Sequence, residues 1–412
     1  MKALVLAGGF PQIDLIEKLK ARGIRTLLAD YYEQPVAKDH ADEFYQVSTL
    51  DVDAIRELCE REAVDFLITV CTDQALLTVA QISEELGLPC YIDYQTARNV
   101  TNKAYMKSVM MKNHIPTARF MIAEDFNELK NEGWQFPLIV KPVDCNSSKG
   151  VVKARNERDL RDSFELAVTM SRTGTAIVEE FIEGKEISVD AYVDNGEVRI
   201  LDITTSEKLK KDDQFIIFRT WHPAETSDRV KAKVAQITQQ IADAFGLRDT
   251  PMLIQLLVRD DQVYVIEFSA RTGGGVKHLS IKRRTGFDVI SAVIDLTLGI
   301  KPQVEVSSPK KRYMVDEYIY CKPGEIDHLD GFEELKAAGT MLDYYLFRWK
   351  GSRFDTISSS GDRIGGFSIE ADTIDDLQRR HEVCNAGIRA VSVDGTDMIR
   401  HDLLQELDIG EA

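Results

Sequence analysis

One stretch near residue 260 constrains the fold and the chemistry of this chain more than any other. Residues 255–275 read QLLVRDDQVYVIEFSARTGGG, which predicts a strand, a tight Asp-Asp turn and a second strand. Because side chains alternate along a strand, Glu267, Ser269 and Arg271 share one face. Pairing within the hairpin then brings Gln255 opposite Glu267. The sequence predicts an oxygen-rich cation site beside an anion-binding arginine, and a solvated hairpin face is the alternative.

Length and composition limit the class of protein. The 412 residues suffice for about two to four domains. No run approaches the roughly 18 apolar residues of a membrane span, and the first residues predict a strand rather than a signal peptide. The net charge of −17 argues against a nucleic-acid partner, because such proteins carry basic surfaces. Six scattered cysteines without a C-x-x-C pair predict reduced thiols, so we expect a cytoplasmic protein without membrane partners.

The N-terminal part alternates short apolar runs with helical patterns over residues 1–98. This alternation predicts a parallel sheet with helices on its faces. Gly8 and Gly9 after the first strand, with Asp30 ending the second, suggest a dinucleotide site in which Asp30 holds a ribose. However, the complete G-x-G-x-x-G spacing is missing, and a tight strand-to-helix turn also explains the glycines. Residues 72–74 (TDQ) follow another strand and are candidate substrate contacts.

The middle of the chain contains two polar segments next to predicted strands. A helix capped by Thr101 precedes the strand FPLIVKP, which ends at Lys141 and runs into DCNSSKG. Lys141 and the N–H groups of that turn could converge on phosphate oxygens, with a solvated strand end as the alternative. Farther on, Glu179 and Glu186 flank a glycine turn in EEFIEGKE. Such a turn could bend the chain around a flat ligand and its ribose, although acidic strand ends are usually solvated.

The remaining polar features have weaker functional signals. Lys208, Lys210 and Lys211 form a basic cluster that is typical of a loop. His222 and His278 are candidate substrate contacts, while a structural role is the commoner one for a lone histidine. A composition change near residue 305 indicates a boundary, and the strands and helices beyond it predict a small α+β domain.

Taken in chain order, these motifs resemble the ATP-grasp superfamily. The motifs are Lys103, Lys141 with its Ser-Ser-x-Gly loop, the EEFIEGKE hinge, and Gln255 followed by Glu-Phe-Ser-Ala-Arg. The resemblance covers essentially the whole chain and implies an α/β and α+β protein with the ATP-grasp fold. It implies an N-terminal Rossmann-like pre-ATP-grasp domain (1–98), an ATP-grasp core (99–304) with a lid at about 115–180, and a small C-terminal α+β domain (305–412).

The resemblance also implies roles for individual residues. The residues expected to contact the ATP phosphates are Lys103, Lys141, Ser147, Ser148 and Gly150. Adenine and ribose contacts fall on Glu179, Glu180, the backbone of Ile182, and Glu186. The magnesium ligands would be Gln255, Glu267 and Ser269, with Gln255 also next to the nucleotide. The expected catalytic residues are Arg271, Lys141 and Glu267. The expected substrate-binding residues are Arg271, Gly273, Gly274 and His278.

One of these positions departs from the common family pattern. Ser269 stands where an asparagine is commoner, which puts a second magnesium ion in question, because hard cations need several well-placed oxygens. A similar Glu-x-Ser-x-Arg pattern occurs in the formate-dependent glycinamide ribonucleotide transformylase branch. The run Arg-Thr-Gly-Gly-Gly after it resembles the amino-acid ligase branch.

The function that this resemblance implies is ATP-dependent ligation of a small carboxylate to an amine through an acyl phosphate. The expected cofactors are ATP and Mg²⁺, with Mn²⁺ as a substitute ion, and a homodimer is the default assembly. A bicarbonate-activating carboxylase or a carbamoyl-phosphate-synthetase-like enzyme is one alternative, although no biotin-carrier domain or tandem repeat is evident. A non-catalytic nucleotide-binding protein is another, and a dehydrogenase is the least favoured.

Overall fold

A computed structural model of the chain describes residues 1–130, 132–145, 149–209, 216–307, 311, 313–357, 359–404 and 407. These residues form one eight-stranded sheet, two four-stranded sheets and one three-stranded sheet. Within them, no helix has the length and the apolar composition that crossing a bilayer requires.

The N-terminal part forms a parallel sheet flanked by helices, as its strand–helix alternation predicts. Its strands, in the order β3-β2-β1-β4, are β1 (Lys2–Leu6), β2 (Arg25–Asp30), β3 (Glu43–Gln46) and β4 (Phe66–Ile68). Its helices are α1 (Phe10–Ala21), α2 (Val52–Glu62) and α3 (Asp73–Leu86). The carboxylate of Asp30 accepts the N–H of Gly8 at 2.6 Å and the N–H of Tyr32 at 2.7 Å. These two hydrogen bonds give Asp30 a structural role that requires no bound ribose, because they join the ends of two neighbouring strands.

Two consecutive helices, α4 (Tyr94–Thr101) and α5 (Lys103–Lys112), lead out of this sheet. The prediction that Thr101 caps the second helix is wrong, since Thr101 is the last residue of α4. The cap is Asn102, whose side chain accepts the N–H of Tyr105 at 3.0 Å. Asn102 separates the helices because its backbone is extended, with φ −95° and ψ 106°.

A four-stranded antiparallel sheet covered by one helix follows. In the order β5-β8-β6-β7, its strands are β5 (Phe120–Ala123), β6 (Leu138–Pro142), β7 (Val152–Ala154) and β8 (Ala176–Glu180). Helix α6 (Glu157–Met170) packs on it through a buried apolar stripe that includes Leu160 and Phe164. The register pairs Ile139 with Glu179 and Lys141 with Ile177. Lys141 and Glu179 therefore point to the same face of this sheet.

The eight-stranded sheet forms the centre of the molecule, in the order β13-β12-β9-β10-β11-β14-β18-β16. Its first strands are β9 (Lys185–Asp194), β10 (Glu197–Lys208), β11 (Ile217–His222), β12 (Thr250–Arg259) and β13 (Gln262–Ser269). The others are β14 (Tyr313–Ile319), β16 (Asp343–Leu346) and β18 (Gly365–Ala371). Helices α7 (Asp228–Ala244), α8 (Lys277–Thr285) and α9 (Val289–Thr297) pack around this sheet.

The predicted hairpin is confirmed as β12 and β13. Asp260 and Asp261 form its turn with φ of +50° and +58°, the left-handed conformation that a two-residue hairpin turn needs. Gln255 lies directly opposite Glu267 in the register. The amide and the carboxylate that the sequence placed together are therefore neighbours in the sheet.

The last hundred residues share the central sheet and add a smaller one. The added elements are β15 (Gly324–Asp330), β17 (Arg353–Phe354), β19 (Arg389–Ser392), α10 (Phe332–Ala337) and α11 (Ile374–Gly387). Strand β14 pairs with β11, so the central sheet continues past the boundary that the sequence suggested near residue 305. The division at residues 98 and 305, with a lid at about 115–180, stays a prediction.

His222 belongs to a buried polar network between β10, β11 and β14. Its ring nitrogens lie 2.6 Å from a carboxylate oxygen of Asp202 and 3.0 Å from one of Asp316. Arg284 pairs with Asp202 at 3.4 Å, and Ser280 donates to Asp316 at 2.7 Å. Burial alone would lower the pKa of His222, but the two carboxylates raise it to about 9. The structure thus gives His222 a structural position as a buried cation.

We predict that the protein becomes less stable as the pH rises above neutral, because the stabilising contribution of protonated His222 is lost. A histidine pKa that is raised on folding contributes its full stability below pH 6.5, and this contribution is lost as the pH rises through 9. The loss should amount to about 3 kcal/mol. Urea unfolding at pH 6 and at pH 9 would measure it. His222→Asn should be less stable than wild type at pH 6 and should show a flatter dependence on pH.

The exposed His328 provides the control, since His328→Asn should keep the wild-type pH dependence. Equal pH slopes for the wild type and for His222→Asn would contradict the assignment of this effect to His222.

Candidate functional site

A cavity of about 610 Å³ is lined by residues of the four-stranded antiparallel sheet β5-β8-β6-β7, here named the lid sheet after its predicted role, and of the central sheet. This volume lies in the usual range for small-molecule sites. Its apolar lining consists of Ala118, Ile139, Val151, Phe181, Ile182, Leu257, Tyr264 and Ile266. Its polar lining includes residues that the sequence predicts for ATP and magnesium, namely Lys103, Lys141, Glu179, Glu180, Glu186, Gln255 and Glu267. Helix α5 and antiparallel strands from two sheets thus bring together side chains that lie up to 164 positions apart in the sequence, from Lys103 to Glu267.

Glu179 pairs with two lysines in the wall of the cavity. Its carboxylate oxygens lie 2.6 Å from the ammonium nitrogen of Lys107 and 2.6 Å from that of Lys141. Burial would raise the pKa of Glu179, but the two lysines outweigh it and hold the pKa at about 2. Burial would also lower the pKa of Lys141, yet the carboxylates of Glu179 and Glu267 raise it. Burial lowers the pKa of Lys107, while its ion pair with Glu179 opposes this effect. Glu179 and Lys141 are therefore charged at neutral pH.

A second ion pair joins Lys103 to Glu267. The Lys103 ammonium lies 3.2 Å from the Glu267 carboxylate and donates to the carbonyl oxygen of Cys145 at 2.8 Å. Burial would raise the pKa of Glu267, but Lys103 and Lys141 outweigh it and lower the pKa. The carboxylate that the sequence assigns to a metal ion is thus ionised and positioned at the lysines.

The candidate metal ligands were tested against the chemistry of their donors. Glu267 offers a carboxylate and Gln255 offers an amide directly across the hairpin, a set that suits Mg²⁺, which binds through one or two carboxylates with waters and phosphates. Burial would raise the pKa of Asp73, but Arg271 and, to a smaller extent, Ser269 lower it, so Ser269 lies near that carboxylate. Among the described residues, no group of three His, Cys, Asp or Glu side chains could hold a metal ion. The donors therefore fit an ion shared with phosphates, not one held by the protein alone.

The EEFIEGKE segment forms the turn between β8 and β9. The Glu180 carboxylate points to Arg119 at 3.3 Å. Over the part of the chain that the structure describes, the backbone N–H of Ile182 makes no hydrogen bond, and Ile182 lines the cavity. Glu186 pairs with Lys208 and accepts from the Gln255 amide at 3.4 Å. This segment thus presents a free backbone donor and a buried carboxylate along one wall, the groups that an adenine edge and a ribose require.

Arg271 is held by an aspartate from the N-terminal part. Two guanidinium nitrogens each lie 2.6 Å from a carboxylate oxygen of Asp73, a bidentate geometry that orients the guanidinium plane. Asp73 is the first residue of α3 and one of the candidate substrate contacts in residues 72–74. Burial alone would lower the pKa of Arg271, but Asp73 raises it. The arginine does not line the cavity, yet the charges of Glu267 and Lys103 act on this pair.

Other predicted residues lie away from the cavity lining. His278 is buried, its ring centre is 6.3 Å from that of Phe10, and neither ring nitrogen has a hydrogen-bond partner among the described residues. Burial lowers the pKa of His278 to about 4, so the ring is neutral at pH 7. Gly150 has φ +72° and lies against Pro142. Ser147, Ser148, Lys210 and Lys211 lie outside the described residues.

Sequence reasoning missed Lys107, which is almost fully buried beside the cavity. A helical pattern could have found it, because Lys103 and Lys107 are four residues apart and so share one face of α5. It was missed because a single lysine inside an apolar helix is usually solvated. Only the packing of α5 in the tertiary structure reveals that Glu179 lies 2.6 Å from the ammonium nitrogen of Lys107.

Comparisons with known proteins agree with this fold. Residues 134–279 match the family model of the ATP-grasp domain. The chain is 26% identical over 325 residues to a formate-dependent phosphoribosylglycinamide formyltransferase of Corynebacterium glutamicum (strain R), covering 75% of this chain and 77% of the relative. A solved L-amino acid ligase from Bacillus licheniformis superimposes with a TM-score of 0.79 at 20% identity, covering 95% and 98% of the two chains. A phosphoribosylglycinamide synthetase from Anaerococcus prevotii gives 0.75 at 21%, covering 95% and 99%.

The two-sheet cavity with its lysines, its hinge and its Gln–Glu pair is lined largely by the segment that matches the ATP-grasp domain. By this match and by its fold, the chain is similar to ATP-grasp ligases.

The glycines after Arg271 yield a test of packing next to the site. A Cβ at Gly273 would overlap the carboxylate of Asp190 and would lie 2.7 Å from a side-chain carbon of Lys277. These neighbours cannot easily move, because they are paired with each other at 2.8 Å. Gly273→Ala should therefore destabilise the protein by about 1–3 kcal/mol in urea unfolding. Gly274→Ala is the matched control, since open space surrounds Gly274. Equal loss of stability in both variants would contradict this packing.

Proposed function

We propose that this ATP-grasp enzyme joins a small carboxylate to an amine, with ATP converted to ADP and phosphate. The observation that carries the proposal is the cavity in which Lys103, Lys141, Gln255 and Glu267 converge next to the turn that contains Ile182. Lysines suit phosphate oxygens, and a carboxylate paired with an amide suits a magnesium ion that bridges phosphates. The names of the formyltransferase relatives and of the L-amino acid ligase support the same reaction class.

The chemistry needs no nucleophile from the protein. A substrate carboxylate attacks the γ-phosphorus of ATP, the bond to the bridging oxygen breaks, and an acyl phosphate and ADP result. The amine then attacks the acyl carbon and displaces phosphate, and the amine proton leaves to solvent. The protein accelerates both steps by aligning the reactants and by stabilising negative charge on the transferring group.

Different residues would bind different parts of the nucleotide and the substrate. Lys103 and Lys141 line the cavity and would hold phosphate oxygens. A bound Mg²⁺ would neutralise phosphate charge, with Glu267 and Gln255 as the protein donors. The turn through Ile182 and Glu186 would receive adenine and ribose. Arg271, fixed by Asp73, would meet the substrate carboxylate and then the acyl phosphate.

The direct test is ADP release across a panel of carboxylates, with and without amines. Formate and single amino acids are the first members, since they suit the reaction class of the relatives. Hydroxylamine should trap an acyl phosphate as a hydroxamate in the absence of an amine. Bicarbonate belongs in the panel because a carboxylase would use it in place of an organic acid. ADP release with bicarbonate alone would favour the carboxylase alternative, and MgATP binding without ADP release under any acid would favour a non-catalytic protein.

We predict that Glu267→Ala lowers ATP turnover by at least about 100-fold, because it removes the single carboxylate proposed to bind the ion. Glu267→Gln should lose comparable activity, since it keeps the shape and removes the charge. The fold should survive in both, which circular dichroism would check. Glu197→Ala, at an exposed position of β10, should keep wild-type turnover. Substantial activity in Glu267→Ala would refute this assignment.

A further inference from the structure

Lys107 has no place in the proposed chemistry, yet it is the most deeply buried lysine near the cavity, with a side chain only 2% exposed. Its ammonium group has three protons to donate. Its ammonium nitrogen lies 2.6 Å from the Glu179 carboxylate, and it donates to the hydroxyl of Thr117 and to the carbonyl oxygen of Val265 at 3.3 Å. Three protein groups therefore hold the Lys107 ammonium in place.

Lys141 differs from Lys107 in how many protein groups contact its ammonium nitrogen. Within the described part of the chain, the Lys141 ammonium nitrogen contacts the Glu179 carboxylate at 2.6 Å. Both lysines line the cavity and share this carboxylate. Lys107 has two further partners in the protein, Thr117 and Val265, so Lys141 keeps more of its donor capacity for a ligand.

The charges of this trio do not cancel. Two ammonium groups and one carboxylate leave a net charge of +1 in a wall where little water screens it. If Lys107 were neutral, Glu179 would pair with Lys141 alone, and that pair would carry no net charge. The cavity would then lose its attraction for phosphate at this wall while the lysine itself remained in place.

From these contacts we infer that Lys107 is a positioning residue for phosphate binding: it neutralises Glu179 and thereby leaves the positive charge of Lys141 available to ATP. The inference rests on the proposed function and identifies a residue outside the direct phosphate contacts on which nucleotide affinity depends. Lys107 acts through Glu179 and does not touch the ligand. Glu179 in turn belongs with the lysines, and its carboxylate is not free for an adenine edge.

The test measures binding rather than turnover. Isothermal titration calorimetry with MgATP should show at least about tenfold weaker binding to Lys107→Met than to wild type. Adenosine, which has no phosphate groups, should bind both proteins equally. Lys107→Arg keeps the charge and should retain most of the MgATP affinity. Lys112→Met, on the exposed end of the same helix, should leave MgATP affinity at the wild-type level.

A double variant separates this role from a merely structural one. Lys107→Met combined with Glu179→Gln removes one positive and one negative charge, so the +1 next to Lys141 returns. This variant should bind MgATP within about threefold of wild type, although it lacks both partners. It also tests the inference if Lys107→Met alone fails to fold, because it leaves no unpaired carboxylate.

The outcomes distinguish the two proposals. Unchanged MgATP affinity in Lys107→Met overturns this inference while the proposed function stands. Equal weakening for adenosine and MgATP, or a double variant that binds MgATP tenfold or more weakly than wild type, also overturns it. A wild-type protein that binds no MgATP overturns the proposed function and this inference with it.

Discussion

The structure depends on carboxylates that hold the cations of one site before any ligand arrives. Glu179 holds Lys107 and Lys141, Glu267 holds Lys103, and Asp73 holds Arg271. Isolated buried charges would be very costly, so each cation needs a partner from another segment of the chain. These pairs join the N-terminal sheet, helix α5, the lid sheet and the central sheet.

The net charge of these paired groups limits how the site can bind a polyanion. The four cations and three carboxylates leave a net charge of +1, which is far too little to neutralise ATP alone. A bound magnesium ion would supply the missing positive charge, and Glu267 and Gln255 would be the residues that hold it. The pairing therefore explains in physical terms why nucleotide and metal should bind together. It also keeps a strongly acidic chain able to accept an anionic ligand.

The sequence predicted much of the fold and the polar side of the cavity, but it failed at particular residues. Alternation along the hairpin placed Gln255 opposite Glu267, because the side-chain period of a strand is a local property. By contrast, Thr101 was taken for a helix cap that Asn102 provides, since both residue types suit that position. The assignment of Glu179 to the adenine hinge stays a prediction, although its carboxylate pairs with two lysines. Lys107 was missed, because a single lysine inside a helix is usually solvated.

What the sequence by itself determined is the set of local elements: the strands, the hairpin, the glycine turns and the order of motifs that resembles ATP-grasp proteins. These follow from backbone sterics and from apolar periodicity, which act over a few residues. Only the tertiary structure decided which charges meet. Asp73 and Arg271 are 198 positions apart, and His222 meets Asp316 across 94. Such pairs depend on strand register and helix packing between distant segments, and ion pairing is selective only once those segments are in place.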